Sequence, residues 1–340
     1  IILRDLHLAA LNRYYNLQRS DEEIKIANKS LESSKVGLKD AEAKFESGVG
    51  SKLEVLEAKT QVARDQQLLN IKNGQQKTNQ RSLAEILNLP HHITPIIGSP
   101  KKIMGFWDTT LEESIIAAYS FREELDNILL DISISNSNAN AAMAYRKPKI
   151  SLVNTFTSSF TKGDVNSFSP SMENSSSSIS NTIGLNATWN ILDGGRSKEL
   201  YKYNKFKAEE AESKFAVQRA KIRREVEETF FKLESSYLNI SSTFAEVLSA
   251  RESLRLAKLR YKAGMATQRE VVNNQRDLTD AEVRYVISIT SYNGYLAELQ
   301  RRTGLDKIKA CKISTLDLEN QPPQNPKQPK DTTLIPLCKV

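Results

Sequence analysis

Apolar residues recur along this chain at a seven-residue step over an unusually long stretch. After Gly195 the step picks out Val226, Leu233, Ile240, Val247, Leu254 and Tyr261. A companion seam is small: Thr229, Ser236, Thr243, Ala250, Ala257, then Gly264. Large residues set against small ones at period 3.5 keep two helices in close contact over a long distance. At ~1.5 Å per residue, 197–262 predicts a rod of about 99 Å. The rod breaks at Gly264, and Met265-Ala266-Thr267 leads into a second helix carrying Val271, Leu278, Tyr285, Tyr292 and Leu299 at the same step. A helix, a glycine turn and a returning helix make a long antiparallel hairpin.

The hairpin occurs twice. At a constant offset of 216 residues, Ala10, Leu17, Ile24, Leu31, Leu38 and Phe45 take the places of the large seam. Arg13, Ser20, Ala27, Ser34, Ala41 and Gly48 take those of the small seam, with Arg13 alone out of character. The turns match as well, Lys44-Phe45-Glu46-Ser47-Gly48-Val49-Gly50-Ser51 against Arg260-Tyr261-Lys262-Ala263-Gly264-Met265-Ala266-Thr267. An ungapped register that also aligns the glycines predicts an internal duplication. Residues 1–89 then form a first-repeat hairpin truncated at its start, and a helix–strand–strand unit is expected before Ile1. The chain opens inside a helical pattern without an initiator Met, so the lack of a signal peptide is uninformative.

Between the hairpins, Pro90, Pro95, Gly98, Pro100 and Gly105 predict a linker over 90–108 that breaks any regular element. Thr109 or Thr110, followed by Glu112 and Glu113, reads as a capping-box start for a helix over 109–146. The pattern then switches to period two. Ile179, Asn181, Ile183, Leu185, Ala187, Trp189 and Ile191 alternate with Ser180, Thr182, Gly184, Asn186, Thr188 and Asn190. An earlier run alternates Ile150, Leu152, Phe156 and Phe160 with Ser151, Thr155, Thr157, Ser159 and Thr161, less cleanly because Val153 and Asn154 break the order. Strands are predicted over 149–161 and 179–191, joined by a Ser/Asn-rich loop.

A soluble hairpin with one face on a core is the alternative to a membrane hairpin. Two strands between long helices have no sheet to join, however, and an isolated hairpin is marginal. A transmembrane β-strand needs ~9–11 residues, apolar outward and polar inward, with aromatics near the interfaces. Ile150, Leu152, Phe156, Phe160, Ile183, Leu185 and Trp189 are therefore the candidate membrane-facing residues. The second repeat runs from 109 to 305, with its helical hairpin at 196–305. Residues 306–340, rich in Pro and Gln, predict a disordered tail.

Composition narrows the function. Gly (13) and Pro (10) are scarce and charged residues reach 26%, which suits helices with narrow seams better than a thick core. The net charge of +7 is modest and the signs are mixed, so no nucleic-acid footprint emerges. No 18-residue apolar run exists that would make a transmembrane helix. Arg196, Lys198, Lys202, Lys205 and Lys207 follow the second strand, as a solvated helix start or as a contact for anionic headgroups. Cys311 and Cys338 are too few for a structural framework or metal site; they either bridge in an oxidising compartment or are incidental. His91-His92 has no partner carboxylate or Cys nearby in sequence, and no metal site or cofactor is assigned. His7, His91 and His92 do not converge with any nucleophile or phosphate loop, so no enzyme is expected.

Three local motifs resemble the TolC family of outer-membrane efflux proteins. Tyr145-Arg146-Lys147-Pro148-Lys149-Ile150 is similar to the "A-R…P-x-L" that leads into the family's first strand. Leu185-Asn186-Ala187-Thr188-Trp189-Asn190-Ile191-Leu192-Asp193-Gly194-Gly195-Arg196 is similar to its strand exit, "L-x-W-x-L-F-D-G-G-R". Arg260 to Thr267 is similar to its helix tip, "R-Y-x-x-G-x-x-S". The resemblance covers residues 1 to about 305.

The resemblance implies a mainly α fold with a transmembrane β-hairpin, in which long antiparallel coiled-coil hairpins form an α-barrel and the strands supply a share of an outer-membrane β-barrel. It implies a homotrimer in the cell outer membrane that extends into the periplasm. Such a subunit conducts cargo passively from an inner-membrane pump and periplasmic adaptor, in a tripartite efflux or type I secretion system. Gly48 with Ser51, and Gly264 with Thr267, become the adaptor-docking tips. The family's acidic gate maps onto Glu270 and Asn273, where the Asn departs from the pattern. The rival readings are a periplasmic adaptor and a coiled-coil scaffold without a membrane barrel. The first lacks its β-rich flanks here, and the second leaves the alternating strands without a purpose.

Overall fold

The computed structural model describes residues 2–98, 102–164, 173–305 and 308–309. In chain order its elements are α1 (Ile2–Glu46), α2 (Lys52–Ile86), β1 (Phe106–Trp107), α3 (Leu111–Phe121), α4 (Glu123–Ala144), β2 (Lys149–Asp164), β3 (Glu173–Thr188), α5 (Arg196–Lys262), α6 (Gln268–Thr303) and β4 (Ile308–Lys309). The fold is mainly α with one long β-hairpin. It divides into a helical unit, Ile1–Glu123 with Arg219–Val340, and a hairpin unit, Glu124–Gln218; α5 contributes to both.

In the helical unit, α1/α2 and α5/α6 are antiparallel hairpins. The large seam of α5, from Val226 to Tyr261, is buried throughout, as are Val271, Leu278, Tyr285, Tyr292 and Leu299 of α6. The first copy is looser: Leu17 and Leu31 are buried, Ile24 and Leu38 are half-buried, and Phe45 is exposed. The returning helices differ in position. α6 is held on one side by α5, where Thr243 and Ser288 share a 3.0 Å hydroxyl contact and Arg284 meets Glu246 at 2.5 Å. On its other side it meets α1, through Ser33 Oγ donating to Gln275 (2.8 Å) and Thr279 to Ser30 (3.2 Å). α2 is tied mainly to α1, by Lys72 with Glu23 (2.7 Å) and Gln76 with Asp21 (2.7 Å).

The duplication extends to the helix ends. Asn88 (φ 50°) and Gly304 (φ 72°) stand 216 residues apart and end α2 and α6 in the same left-handed conformation. Leu89 N–H closes on Ala84 O at 2.9 Å, and Gly304 N–H on Gln300 O at 3.0 Å, which satisfies carbonyls the helix would otherwise leave free.

Several predicted boundaries change. The helix expected over 109–146 is two helices. Thr110 caps α3 in a capping box with Glu113, and Arg122 then takes an extended backbone before α4. Neither Pro nor Gly breaks the helix there. Arg122 is 6% exposed, and its guanidinium lies 2.6 Å from Glu225 of α5, so a tertiary ion pair overrides local helix propensity. The 90–108 segment is more than a linker. β1 pairs antiparallel with β4, from the stretch expected to be disordered. Gly105 permits this, since a Cβ there would sit 2.4 Å from Lys309 O. Tyr292 donates to Gly105 O (2.9 Å), and Asn293 bonds Met104 N and Lys102 O (3.0 and 2.9 Å), fixing the segment on α6. Cys311 and Cys338 lie outside the described residues.

In the hairpin unit, β2 and β3 pair over their whole lengths, Lys149↔Thr188 to Asp164↔Glu173. Both strands therefore outrun the apolar alternation that predicted 149–161 and 179–191. Backbone pairing continues through the serine run 175–178, which needs no apolar side chains. At the other end β3 stops at Thr188, short of Trp189 and Ile191, because the residue before Lys149 is Pro148, which has no N–H to continue the ladder. Beyond the hairpin, α4 buries Ala139 and Ala142, the first part of α5 buries Ala208 and Ala211, and Lys205 donates to Asn136 across them at 2.9 Å.

Candidate functional site

Three features carry the chemistry: the faces of the β-hairpin, the two helix tips, and the residues just past the second tip. The register decides the first. Directly opposed residues share a face, and Ile150↔Ala187, Leu152↔Leu185, Asn154↔Ile183, Phe156↔Asn181, Ser158↔Ile179 and Phe160↔Ser177 place both apolar series on one side. The other side reads Ser151↔Asn186, Val153↔Gly184, Thr155↔Thr182, Thr157↔Ser180, Ser159↔Ser178 and Thr161↔Ser176, polar but for Val153. Ile150, Leu152, Phe156, Phe160, Ile183 and Leu185 are all more than 60% exposed in the single chain. From Ile150 to Phe160 the apolar band runs about 35 Å along the strand, or about 25 Å once tilted by ~40°, the height of a barrel's lipid-facing band. The sheet is two-stranded, so each strand keeps one edge unpaired among the described residues. Such edges call for further strands. Trp189, beyond β3, is exposed and donates its indole N–H to Arg146 O at 3.2 Å. No described helix is long and apolar enough to cross a membrane.

Both tips are Schellman turns with glycine in the left-handed region, Gly48 at φ 77° and Gly264 at φ 73°. Val49 N–H reaches Lys44 O (3.0 Å) and Gly48 N–H reaches Phe45 O (3.0 Å); Met265 to Arg260 (2.9 Å) and Gly264 to Tyr261 (3.1 Å) repeat the pattern. Nothing lies within 4 Å of a Cβ built on either glycine, so each is required by its φ and not by crowding. The following helices are capped by Ser51 and Thr267, which accept from Glu54 N–H (3.3 Å) and Glu270 N–H (3.4 Å).

The carboxylates then part company. Glu54 turns back to Ser51 N–H (3.3 Å) and completes its box. Glu270 instead pairs with Arg260 at 2.7 Å, clasping the end of α5 to the start of α6. Asn273, one turn on, is exposed in an open groove that Arg64, Arg269 and Arg276 also line; Arg269 is paired with Glu57 at 2.6 Å. The structure thus puts Glu270 beside one arginine and Asn273 among three.

Sequence reasoning missed the link between the tips. Lys44 Nζ donates to Tyr261 O (2.5 Å) and lies 3.5 Å from the Tyr261 ring centroid, joining α1 to α5. Behind it lies a cavity of about 260 Å³ between the four helices, lined by Gly37 and Asp40 of α1, Gln61 of α2, Lys258 and Tyr261 of α5, and Gln268 and Gln275 of α6. Lys258 donates to Ser33 (2.9 Å), and burial pushes its ammonium below the usual lysine range. Gln61 Oε1, Gln268 Oε1 and Tyr261 OH are buried there without a hydrogen-bond partner among the described residues. The signal for Lys44 was its equivalence to Arg260 in the repeat. Its partner lies 217 residues away, and nothing local announces that. His91 and His92 stack edge to face at 5.7 Å, and among the described residues no His/Cys/Asp/Glu group could hold a metal.

Comparison with known proteins bears on this geometry. The family described as outer membrane efflux protein matches residues 5–89 and 118–304. No curated protein matches the chain. A membrane protein from Pseudomonas aeruginosa has the same fold, with TM-score 0.72 at 19% identity over 88% of this chain and 68% of that one. VceC, an outer membrane protein of Vibrio cholerae, gives 0.69 at 14% over 88% and 70%. The CmeC outer membrane channel of Campylobacter jejuni gives 0.69 at 16% over 88% and 62%. The chain thus spans roughly two thirds of the length of these solved proteins.

Proposed function

Because the chain belongs to the outer membrane efflux protein family, whose members are channels and not enzymes, we propose that it is the subunit of a passive exit duct. Several copies, three by resemblance to the TolC family, close a β-barrel in the outer membrane and a helical tunnel in the periplasm. The observation that carries this reading is the register of β2 and β3, which gives one apolar and one polar face with both edges open. A barrel of such hairpins turns the apolar face to lipid and the polar face to water, and removes every edge.

The helical unit supports the same closure. α2 leaves Leu53, Leu56 and Ile71 exposed, and α5 leaves Phe231, Leu238 and Leu256 exposed, as expected of edge helices that meet neighbouring copies. Cargo comes from an inner-membrane pump through a periplasmic adaptor, in a tripartite efflux or type I secretion system. The adaptor docks on the tips at Gly48 with Ser51 and Gly264 with Thr267, where backbone is exposed at a tight turn. Replacing both glycines by valine blocks export while the assembly stays intact; unchanged export removes the docking role.

Glu270 and Asn273 form the gate in this reading, with copies of Glu270 converging to attract cations. Planar-bilayer recording tests duct and gate together. The purified protein should conduct, and Glu270→Gln should lower its cation selectivity. A wild type without conductance contradicts the duct; a variant of unaltered selectivity contradicts the gate alone.

A further inference from the structure

The helical end of the β-hairpin carries a charge cluster that conduction does not use. Arg146, Lys147 and Lys149 lie between α4 and the start of β2, and Arg196 and Lys198 open α5. All five side chains are exposed, and none hydrogen-bonds or ion-pairs with another described residue. The nearby acids are already engaged. Asp193 accepts from Ser197 N–H and Gly195 N–H, both at 3.0 Å. Hydrogen bonding from Ser197, side chain first and then backbone, holds its carboxyl below the usual range, with the Gly195 bond and the charge of Arg146 adding to it. Glu199 is paired with Lys202 at 2.8 Å. The five cations therefore stand in excess on one end of the hairpin unit.

Their placement has an order. Lys149 directly precedes Ile150, where the apolar face begins. Trp189 and Tyr145 are exposed at the same level, and the bond from Trp189 Nε1 to Arg146 O ties the end of β3 to the turn that carries the arginine. Hydrocarbon-like surface, then amphipathic aromatics, then unpaired Arg and Lys is the order of layers through one leaflet of a bilayer. A soluble anion would require only the last of the three.

We propose that Arg146, Lys147, Arg196 and Lys198 form a belt that binds the headgroups of anionic phospholipids in the leaflet at the helical end of the hairpin; Lys149 shares the polar face with Ser151 and stands outside the belt. The proposal rests on the reading of the hairpin as membrane-embedded and adds the lipid class it selects. The bound group is the headgroup phosphate, held by charge and by guanidinium hydrogen bonds.

The test is vesicle flotation of the full chain. The protein is mixed with vesicles of phosphatidylcholine alone, or of phosphatidylcholine with a minority of phosphatidylglycerol, at low and high salt. The wild type floats with both, prefers the anionic vesicles by about tenfold or more at low salt, and loses most of that preference at high salt. A variant with Arg146, Lys147, Arg196 and Lys198 all changed to Gln keeps its helical circular dichroism and its flotation with neutral vesicles, and loses the preference. If that variant misfolds, Lys147→Gln with Lys198→Gln, both on exposed side chains, should lower the preference several-fold. A wild type that floats equally with both vesicles overturns the belt and leaves the membrane reading standing. Flotation with neither overturns both. A preference abolished by inorganic phosphate, but not by chloride of equal ionic strength, assigns the cluster to a soluble anion and overturns the lipid assignment.

Discussion

Gly48 and Gly264 turn the chain in the same way, yet Lys44 and Arg260, which stand at the same place before them, serve different partners. Arg260 stays within its hairpin and holds Glu270, whereas Lys44 leaves its own and binds Tyr261 of the other. The surroundings diverge as well: α6 buries its whole apolar stripe, and α2 keeps Val55 and Leu83 buried while Val62 and Leu69 are only half-buried. Duplication has preserved what the backbone demands, a left-handed residue at each turn and helix end. Side chains followed their neighbours, because α6 is flanked by α1 and α5 and α2 lies toward an edge.

The largest test of this contrast uses one place in both copies. Tyr285 is 1% exposed, and Tyr285→Ala should cost about 3–5 kcal/mol in a denaturant titration. Its counterpart Leu69 is half-buried, and Leu69→Ala should cost about 1 kcal/mol or less. Equal losses would mean that the two hairpins are packed alike. Next come the tips. A Cβ on Gly50 would lie 2.9 Å from Lys44 Cβ and 3.0 Å from Phe45 N, so Gly50→Ala should lower stability by about 1–3 kcal/mol. Its counterpart is already alanine, Ala266, and a neutral Gly50→Ala would show the two turns to be interchangeable.

Lys44→Met removes the bond and cation–π contact to Tyr261 and should cost about 0.5–2 kcal/mol, with Arg260→Met costing less because its pair with Glu270 is exposed. The smallest effect is a change of sign with pH. Burial raises the Asp65 carboxyl pKa above its ordinary value, so the folded state binds a proton more readily and its stability rises as pH falls through that pKa. Burial would raise Glu225 too, but Arg122 and Arg302, each at 2.6 Å, outweigh it and lower the pKa. Its stabilisation is present at neutral pH and is lost as pH falls through the lowered value. Unfolding midpoints against pH should lose the acid-side gain in Asp65→Asn and the later acid-side loss in Glu225→Gln. Profiles parallel to wild type would contradict both assignments.

How much could be read from the chain follows from the range of each cause. The heptad seams, the tips and the caps at Ser51, Thr110 and Thr267 are local, and their residue types announce them. The alternation of β2 and β3 was legible strand by strand. The register was not, and it alone sets Asn154 opposite Ile183 and Asn181 opposite Phe156. The break at Arg122 has no local breaker, since its cause is Glu225, 103 residues away. β1 and β4 are two-residue strands from opposite ends of the helical unit, too short for any period. The positions of Glu270 and Asn273 came from resemblance, and the arginines around them come from α2 and α5 as well as α6, which no single stretch reveals.

Whether copies of this hairpin close into a barrel continued by a helical tunnel can be seen by electron-microscope imaging of the protein extracted from outer membranes in detergent. Three-fold particles with a tunnel of about 100 Å projecting from a detergent belt are expected. Thin rods without a belt, recovered in the soluble fraction, would contradict that closure and return the protein to the scaffold reading.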